Sequence, residues 1–561
     1  MIAEPLTAPA VATAAQELVD ALVRGGVDRA FCVAGESYLA VLDALVDAPV
    51  DVVTCRHEAP AAFMALADAK LTGRPALCLV NRAPGATNAA IGLHASRQDA
   101  TPLLLLVGQV ETGELGRDAF QELDYGRTFS DLAKSVSVLH APERAAETAG
   151  RALAAATAGT PGAAVLVVPE DVAGRAVAPP DRRPVERQPP HAGEPGADEL
   201  RAVAALLGRA ERPLLLAGSA LSSPEGRRLL RETAERHGLP AVLSNKRQDL
   251  FDNLHPHYAG HLTVATRRER TELLAQSDLV LAVGTRLDHV TTQRHRFPAA
   301  PAPAQPLVHV YPDPARLGFT YEADVALACD PVAFLEALVR LPAAQGRRAW
   351  VARLHAAEAE EATWREHSAD DGVVFGAVVA ALDRLAAEDA VVAIDAGHFT
   401  SWVHRYLRCT GGRRLLGLAP GPMGFGVPAG VAASLRHPGR QVVAVVGDGG
   451  MLMTGSELAT AVQRGARLTV VIANNSSYGS IRHHQERAFP GRPIATDLVN
   501  PDFAALARAF GALGLTVESD EEVEPALERA LAHDGIAVVD VHTSLSWISA
   551  YDRLPQARRP A

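Results

Sequence analysis

The densest chemistry in the 561-residue chain lies between Val442 and Arg482, VVAVVGDGGMLMTGSELATAVQRGARLTVVIANNSSYGSIR. One apolar run ends in Gly447-Asp448-Gly449-Gly450 and a second ends in Asn474-Asn475. A carboxylate, an amide oxygen and a nearby backbone carbonyl are hard ligands that suit Mg²⁺, which completes its octahedron with waters and phosphate oxygens. If the two runs are strands of one parallel sheet, Asp448 and Asn475 open at the same edge, where ligands of open α/β sheets bind. Exposed N–H groups at the start of the following helix favour phosphates. Thr454 and Glu457 have the T-x-x-E spacing of a capping box, which predicts the helix start there. The chemistry implied is a metal-bridged diphosphate. A lone GDG would be only a turn; two buried strand ends make that the lesser reading. Upstream, Gly424-Phe425-Gly426-Val427-Pro428-Ala429 fits the loose dinucleotide fingerprint. Five residues (APGPM) separate its first glycine from the run LLGL, where the fingerprint needs that glycine in the tight turn itself.

Positioning such groups takes sheets, and three segments repeat one rhythm of amphipathic helix, short apolar run and glycine turn. The first contains DRAFCVAG, DVVTCRHE, PALCLVN, TPLLLLVGQ and AAVLVVPEDV. The second contains RPLLLAGS, LPAVLSN, DLVLAVGTR and LVHVYPD; the third contains AVVAIDAG, RRLLGL, QVVAVVGDGG, RLTVVIANN and IAVVDVH. Runs alternating with helices predict α/β domains built on parallel sheets. The expected division is a first domain over 1–175, a Pro- and charge-rich linker over 176–197, a central domain over 198–345 and a third over 346–561.

Composition narrows the function classes. Lys plus Arg total 54 and Asp plus Glu 65, a balance of −11, and no basic block offsets it, which argues against nucleic acid. The start lacks a basic region followed by an apolar core, so no signal peptide is expected. No apolar run approaches the ~20 residues of a membrane span. Five scattered cysteines without a CxxC pair argue against a disulfide framework or structural zinc. A cytoplasmic location is expected. HPHYAGH (His255, His257, His261) reads as a surface loop rather than a metal cluster.

The GDG-to-NN pattern resembles the cofactor signature of thiamine-diphosphate enzymes, and further motifs resemble their acetohydroxyacid (acetolactate) synthase branch. These are CRHEAPAAFMALADAKLTGRPALCLVNRAPGATN…PLLLLVGQV and DAFQELD in the first domain, then GPMGFGVPAG and NPDFAALARAFG in the third. The resemblance implies the thiamine-diphosphate-binding fold in the first and third domains and a Rossmann-like central domain. It implies thiamine diphosphate and Mg²⁺ as cofactors. Glu58 corresponds to the glutamate that hydrogen-bonds the aminopyrimidine ring and drives formation of the ylid. Met423 corresponds to the apolar residue that bends the cofactor. Asp448, Asn475 and the Ser477 carbonyl correspond to the metal ligands. Gly447, Gly449, Gly450, His398 and Tyr478 correspond to positions around the diphosphate, and Gln121 to one facing substrate. It also implies a homodimer or homotetramer, with each site shared between chains.

Departures fall on the acceptor or flavin side. The family's Lys after the last first-domain strand is Glu170, its acceptor-selecting Trp is His484, and its Asp-Asp-Arg stretch is Asp288-His289-Val290. They argue for a changed acceptor and against FAD, the family's further cofactor candidate. Gly35-Glu36 resembles the Gly-acid turn of 2-oxo acid decarboxylases, but their proton-donating Glu falls at Ile481. His483 and His484 then supply an acid-base group near neutral pH, with His484 as the catalytic candidate. The expected function is a carboligase that decarboxylates a 2-oxo acid such as pyruvate and transfers the acyl unit to a carbonyl acceptor. The alternatives are a decarboxylase or hydroxyketone lyase of the same superfamily, an NAD-dependent oxidoreductase using the GFGVPA turn, and a non-catalytic homologue.

Overall fold

Runs of β-branched residues and leucine between amphipathic helices pair as expected. In the computed structural model, which describes residues 12–178, 192–343 and 346–554, they form three six-stranded parallel sheets. The described residues divide into two compact units, 12–178 and 192–554.

In the first unit the sheet order is Asp51–Thr54, Arg29–Cys32, Ala76–Val80, Leu103–Gln109, Ala163–Pro169, Ser135–Val138. Its inner strands Ala76–Val80, Leu103–Gln109 and Ala163–Pro169 are buried along their whole length, as strands covered by helices on both faces must be. Ala176–Val177 pairs antiparallel with Ala12–Thr13, so the first residues of the expected linker belong to this unit. Most of that linker lies outside the described residues.

The second unit carries two sheets. The central one runs Tyr258–His261, Ala241–Leu243, Pro213–Ala217, Leu279–Val283, Leu307–Val310, Val325–Leu327. Counted along the segment this is 3-2-1-4-5-6, the order of dinucleotide-binding sheets. The helix Arg348–Glu361 packs on this sheet, with Trp350 and Leu354 in its apolar cluster and the Trp350 indole donating to the Pro213 carbonyl at 2.9 Å. The expected boundary at 345/346 is therefore one helix too early, because apolar contact rather than the polar EAEEATWREH composition decides where that helix belongs. HPHYAGH is also corrected. Tyr258–His261 is an edge strand, and His261 is bonded to the Tyr258 hydroxyl at 3.1 Å and packed 5.6 Å from the His404 ring.

The last sheet runs Arg414–Leu416, Val391–Ile394, Val442–Gly447, Leu468–Asn474, Ile536–His542, Leu513–Val517. Its segment is closed by its two ends. The Val373 N–H donates to the His542 carbonyl and the Ser544 N–H to the Val373 carbonyl, while the Asp371 carboxylate accepts from Ser544, Leu545 and Ser546. Among the described residues no helix is long and apolar enough to cross a membrane, and all five cysteines are buried and free.

Candidate active site

Four strands of the last sheet, Val391–Ile394, Val442–Gly447, Leu468–Asn474 and Ile536–His542, end at one edge, and a cleft of about 260 Å³ opens there. The sheet order reverses between the first two, the point where open α/β sheets bind ligands. Nine of the expected residues line it: His398, Met423, Gly447, Asp448, Gly449, Gly450, Asn475, Ser477 and Tyr478.

Asp448 is buried, with Oδ1 accepting from the Gly449 N–H and Oδ2 from the Asn500 amide, each at 2.9 Å. Burial raises its pKa against those hydrogen bonds, so a cation in the cleft would be the partner that stabilises its charge. Asn475 Oδ1 accepts from the Ser477 N–H at 3.1 Å. The turn is pinned from below, since the Tyr478 N–H and the Ser477 hydroxyl both donate to the Thr496 carbonyl. Among the described residues no three or more His, Cys, Asp or Glu side chains are grouped so as to hold a metal ion by themselves. The oxygen set at Asp448 is one carboxylate, one amide and one carbonyl, which is chemistry for a hard cation.

The glycines leave room that nothing else could leave. A Cβ on Gly449 would lie 2.6 Å from the Tyr478 ring and 3.3 Å from the Met423 methyl, and one on Gly450 would lie 2.6 Å from Asp395 Oδ2. A first helix runs from Asp448 to Thr454, with Gly447 as its N-cap, and a second helical stretch follows Thr454 over Gly455–Glu457 and Leu458–Gln463. The capping box does not form: the Thr454 hydroxyl donates to the Gly424 carbonyl at 2.8 Å and Glu457 accepts from Thr460. Thr454 is needed instead to tie the GFGVPA turn to the GDGG helix.

That turn shows what its glycines do. The Gly424 N–H donates to both oxygens of Asp395, and a Cβ on Gly426 would meet Val446 at 2.5 Å. They serve close packing of the Gly426–Arg436 helix on the sheet. Asp395, fully buried and pushed up to about 6 by that burial, was missed in the sequence. The only signal for it was an acid directly after an apolar run, in the same DAGHF that carries His398. Asn500, which joins Asp448 to Asn474 at 2.9 Å each, gave no sequence signal beyond its place in NPDF.

His398 is anchored by its backbone N–H to the Ser480 hydroxyl at 2.8 Å. Its ring lies 4.9 Å from His483 and 5.4 Å from His484, so His484 stands beside the cleft rather than on its wall. Ile481 is on the wall.

Glu58 and Gln121 belong to the first unit. Glu58 opens the helix Glu58–Thr72 rather than ending a strand, and its carboxylate accepts from the Asn88 amide at 2.9 Å. Asn88 ends the PGATN motif, and its role as the partner of Glu58 was not read there. Gln121 holds a left-handed φ of 63° and its side-chain oxygen is buried without a partner. Such strain and such an orphan are concentrated at working sites. Glu170 pairs with Arg82 at 3.0 Å, which accounts for its sign.

Three family models match in order: the thiamine pyrophosphate enzyme N-terminal TPP binding domain over residues 12–128, the central domain over 200–338 and the C-terminal TPP binding domain over 395–541. The putative thiamine pyrophosphate-containing protein YdaP of Bacillus subtilis is 32% identical over 94% of this chain and 91% of its own. The acetolactate synthase large subunit of Parasynechococcus marenigrum is 33% identical over 95% and 88%, and the isozyme 2 large subunit of Escherichia coli 31% over 93% and 94%. With three matched domains in order, and a cleft where their cofactor signature predicts one, the chain belongs to the thiamine pyrophosphate enzymes, in their acetolactate synthase-like branch.

Proposed function

We propose that the enzyme is a Mg²⁺-dependent carboligase: a 2-oxo acid such as pyruvate loses CO₂, and its acyl carbon forms a C–C bond to the carbonyl of an acceptor, whose oxygen ends as a hydroxyl. The observation that carries this reading is Ile481. The cleft wall presents an isoleucine where a decarboxylase would have its proton-donating acid, so carbonyl capture is favoured over protonation.

The residues present fit the cofactor. Asp448, Asn475 Oδ1 and the Ser477 carbonyl would hold Mg²⁺, while Gly447, Gly449 and Gly450 line the cleft where a diphosphate would lie. Thiamine diphosphate, when bound, supplies a nucleophilic carbon and an electron sink. Met423, His398 and Tyr478 line the cleft and would contact it. Glu58, steadied by Asn88, holds a proton at the aminopyrimidine. Gln121, and His484 from beside the cleft, would serve the substrate. FAD has no supporting observation and forms no part of the reading. A second reading, a decarboxylase or hydroxyketone lyase, draws on the imidazoles beside Ile481, which supply a proton donor.

The assembly in this reading is a homodimer or homotetramer, with Glu58 of one copy serving the cleft of another. Leu452 and Met453, each about half exposed on the GDGG helix, suit burial in such an interface. The five free cysteines fit the cytoplasm. The decisive experiment is product analysis by mass spectrometry after incubation with pyruvate, thiamine diphosphate and Mg²⁺, with and without aldehyde and 2-oxo acid acceptors. A new C–C-bonded product supports the reading; free aldehyde as the sole product from every mixture overturns it in favour of the decarboxylase.

A further inference from the structure

The helix Gly479–Ala488 leaves the cleft wall with Arg487 one turn beyond the neighbouring His483 and His484. The three rings of His398, His483 and His484 pack within 4.9 to 5.8 Å of one another. Nδ1 of His398 and Nδ1 of His483 are buried and unpartnered, and two such atoms in one cluster need an explanation. Burial first, then His483, Arg487 and Arg294, depress the pKa of His484, so both guanidiniums lie close enough to bear on it. Arg294 comes from the central segment, on a run of three left-handed residues, Gln293 to His295. Among the described residues neither guanidinium has an ion-pair partner. The carboxylate facing the cluster is Asp552, 4.0 Å from His483 and more than half exposed.

We propose that this cluster is an anion subsite at the mouth of the cleft, and that the acceptor carries a terminal anionic group, separate from its reacting carbonyl, which binds there. The inference rests on the carboligase reading and names its acceptor class. The donor's own carboxylate leaves as CO₂ and needs no permanent cation outside the cleft. Two guanidiniums and two unpaired imidazole nitrogens exceed what one 2-oxo acid carboxylate would occupy. They match the several acceptor oxygens of a terminal carboxylate, sulfonate or phosphonate. Ile481, one turn before His484, offers apolar surface to the carbons that join the two ends of such a molecule.

The test has two arms, both on the full-length protein loaded with thiamine diphosphate and Mg²⁺. Calorimetry with the unreactive probes succinate, sulfoacetate and phosphonoacetate, against butanamide, should show binding of at least one anion and none of the amide. Arg487→Gln or Arg294→Gln should weaken it at least tenfold, Arg487→Lys should largely retain it, and added salt should weaken it. Turnover of pyruvate with succinic semialdehyde, sulfoacetaldehyde or phosphonoacetaldehyde should exceed that with butanal by about 100-fold in kcat/KM, mostly through KM, and the ratio should collapse in Arg487→Gln. The preferred probe identifies the anion. Absence of anion binding, or binding indifferent to both arginines, overturns the subsite even if pyruvate is consumed. Anion binding without any carboligation leaves the subsite standing and removes the carboligase reading.

Discussion

The first and last sheets share one strand order, 2-1-3-4-6-5 counted along each segment, yet their carboxyl edges differ. After the first strand the chain reads Cys32-Val33-Ala34-Gly35-Glu36 in one and Ile394-Asp395-Ala396-Gly397-His398 in the other. After the third strand stand Asn81 and Arg82 in one, Asp448 and Gly449 in the other. The same frame thus presents a polar edge held by side-chain amides, with Asn81 bonded to Ser37 and Glu36 and Asn88 to Glu58. It also presents a glycine-lined cleft over a buried acid. A parallel sheet supplies a row of aligned strand ends, and the one or two residues after each strand decide what the row binds.

The largest effect that would break this comparison is at its two acids. Asp448→Ala is expected to lower thiamine diphosphate affinity at least 100-fold, whereas Glu58→Gln should leave the cofactor bound and cut turnover by about 10³. Calorimetry with parallel rate measurements separates them, and equal loss of binding in both would end the division of labour. Mixed dimers sharpen it. If Glu58 and Asp448 of one site come from different copies, random mixing of the two inactive variants restores about a quarter of wild-type activity in a dimer; no recovery would place both acids of a site in one chain.

Smaller effects concern packing and charge. Gly450→Ala sets a Cβ 2.6 Å from the buried Asp395 carboxylate and is expected to cost about 1–3 kcal/mol. Gly85→Ala on the other edge meets the movable end of Glu58 and the Val80 Cβ at 3.3 Å each, with no contact as close as 2.6 Å, and should change the melting temperature less. Burial, with the neighbouring histidines, holds His398 down at about 4, below the 6.5 of an unfolded imidazole. Between those values the unfolded chain binds a proton that the folded one does not, so the stabilisation present above pH 6.5 is lost as pH falls towards 4. His398→Gln should flatten the slope of stability against pH by up to about 1.4 kcal/mol per unit. Melting curves at pH 7.5 and 5 read this, and an unchanged slope would mean that His398 takes up its proton in the fold as it does in the unfolded chain.

The inner strands and the GDG and NN turns were legible because fully buried strands are unbroken apolar runs and their ends carry distinctive residues. Within the three six-stranded sheets four strands escaped notice, Ser135–Val138, Tyr258–His261, Val325–Leu327 and Leu513–Val517, and each is a sheet edge. An edge is paired on one side only and tends to be short or polar, so its sequence carries little periodicity. The capping box expected at Thr454 fails because a T-x-x-E spacing is local, while Thr454 is claimed by Gly424, 30 residues away in the chain. Asp395 and Asn500 were invisible for a related reason. Their partners, Gly424 and Gly450, or Asp448 and Asn474, are brought to them only by the folded sheet.

The clasp of Asp371 and Val373 on residues 542 to 546 has a consequence for synthesis. Thr543, Ser544, Trp547 and Ile548 form one side of the cleft, and they follow the last strand of the sheet to be made. While a ribosome is still working through that region, the nascent chain holds Asp448, Asn475 and the glycines without the wall that encloses them. Cofactor capture is thereby deferred until translation has passed residue 548, and a chain stalled earlier would be left with an open trough instead of a site.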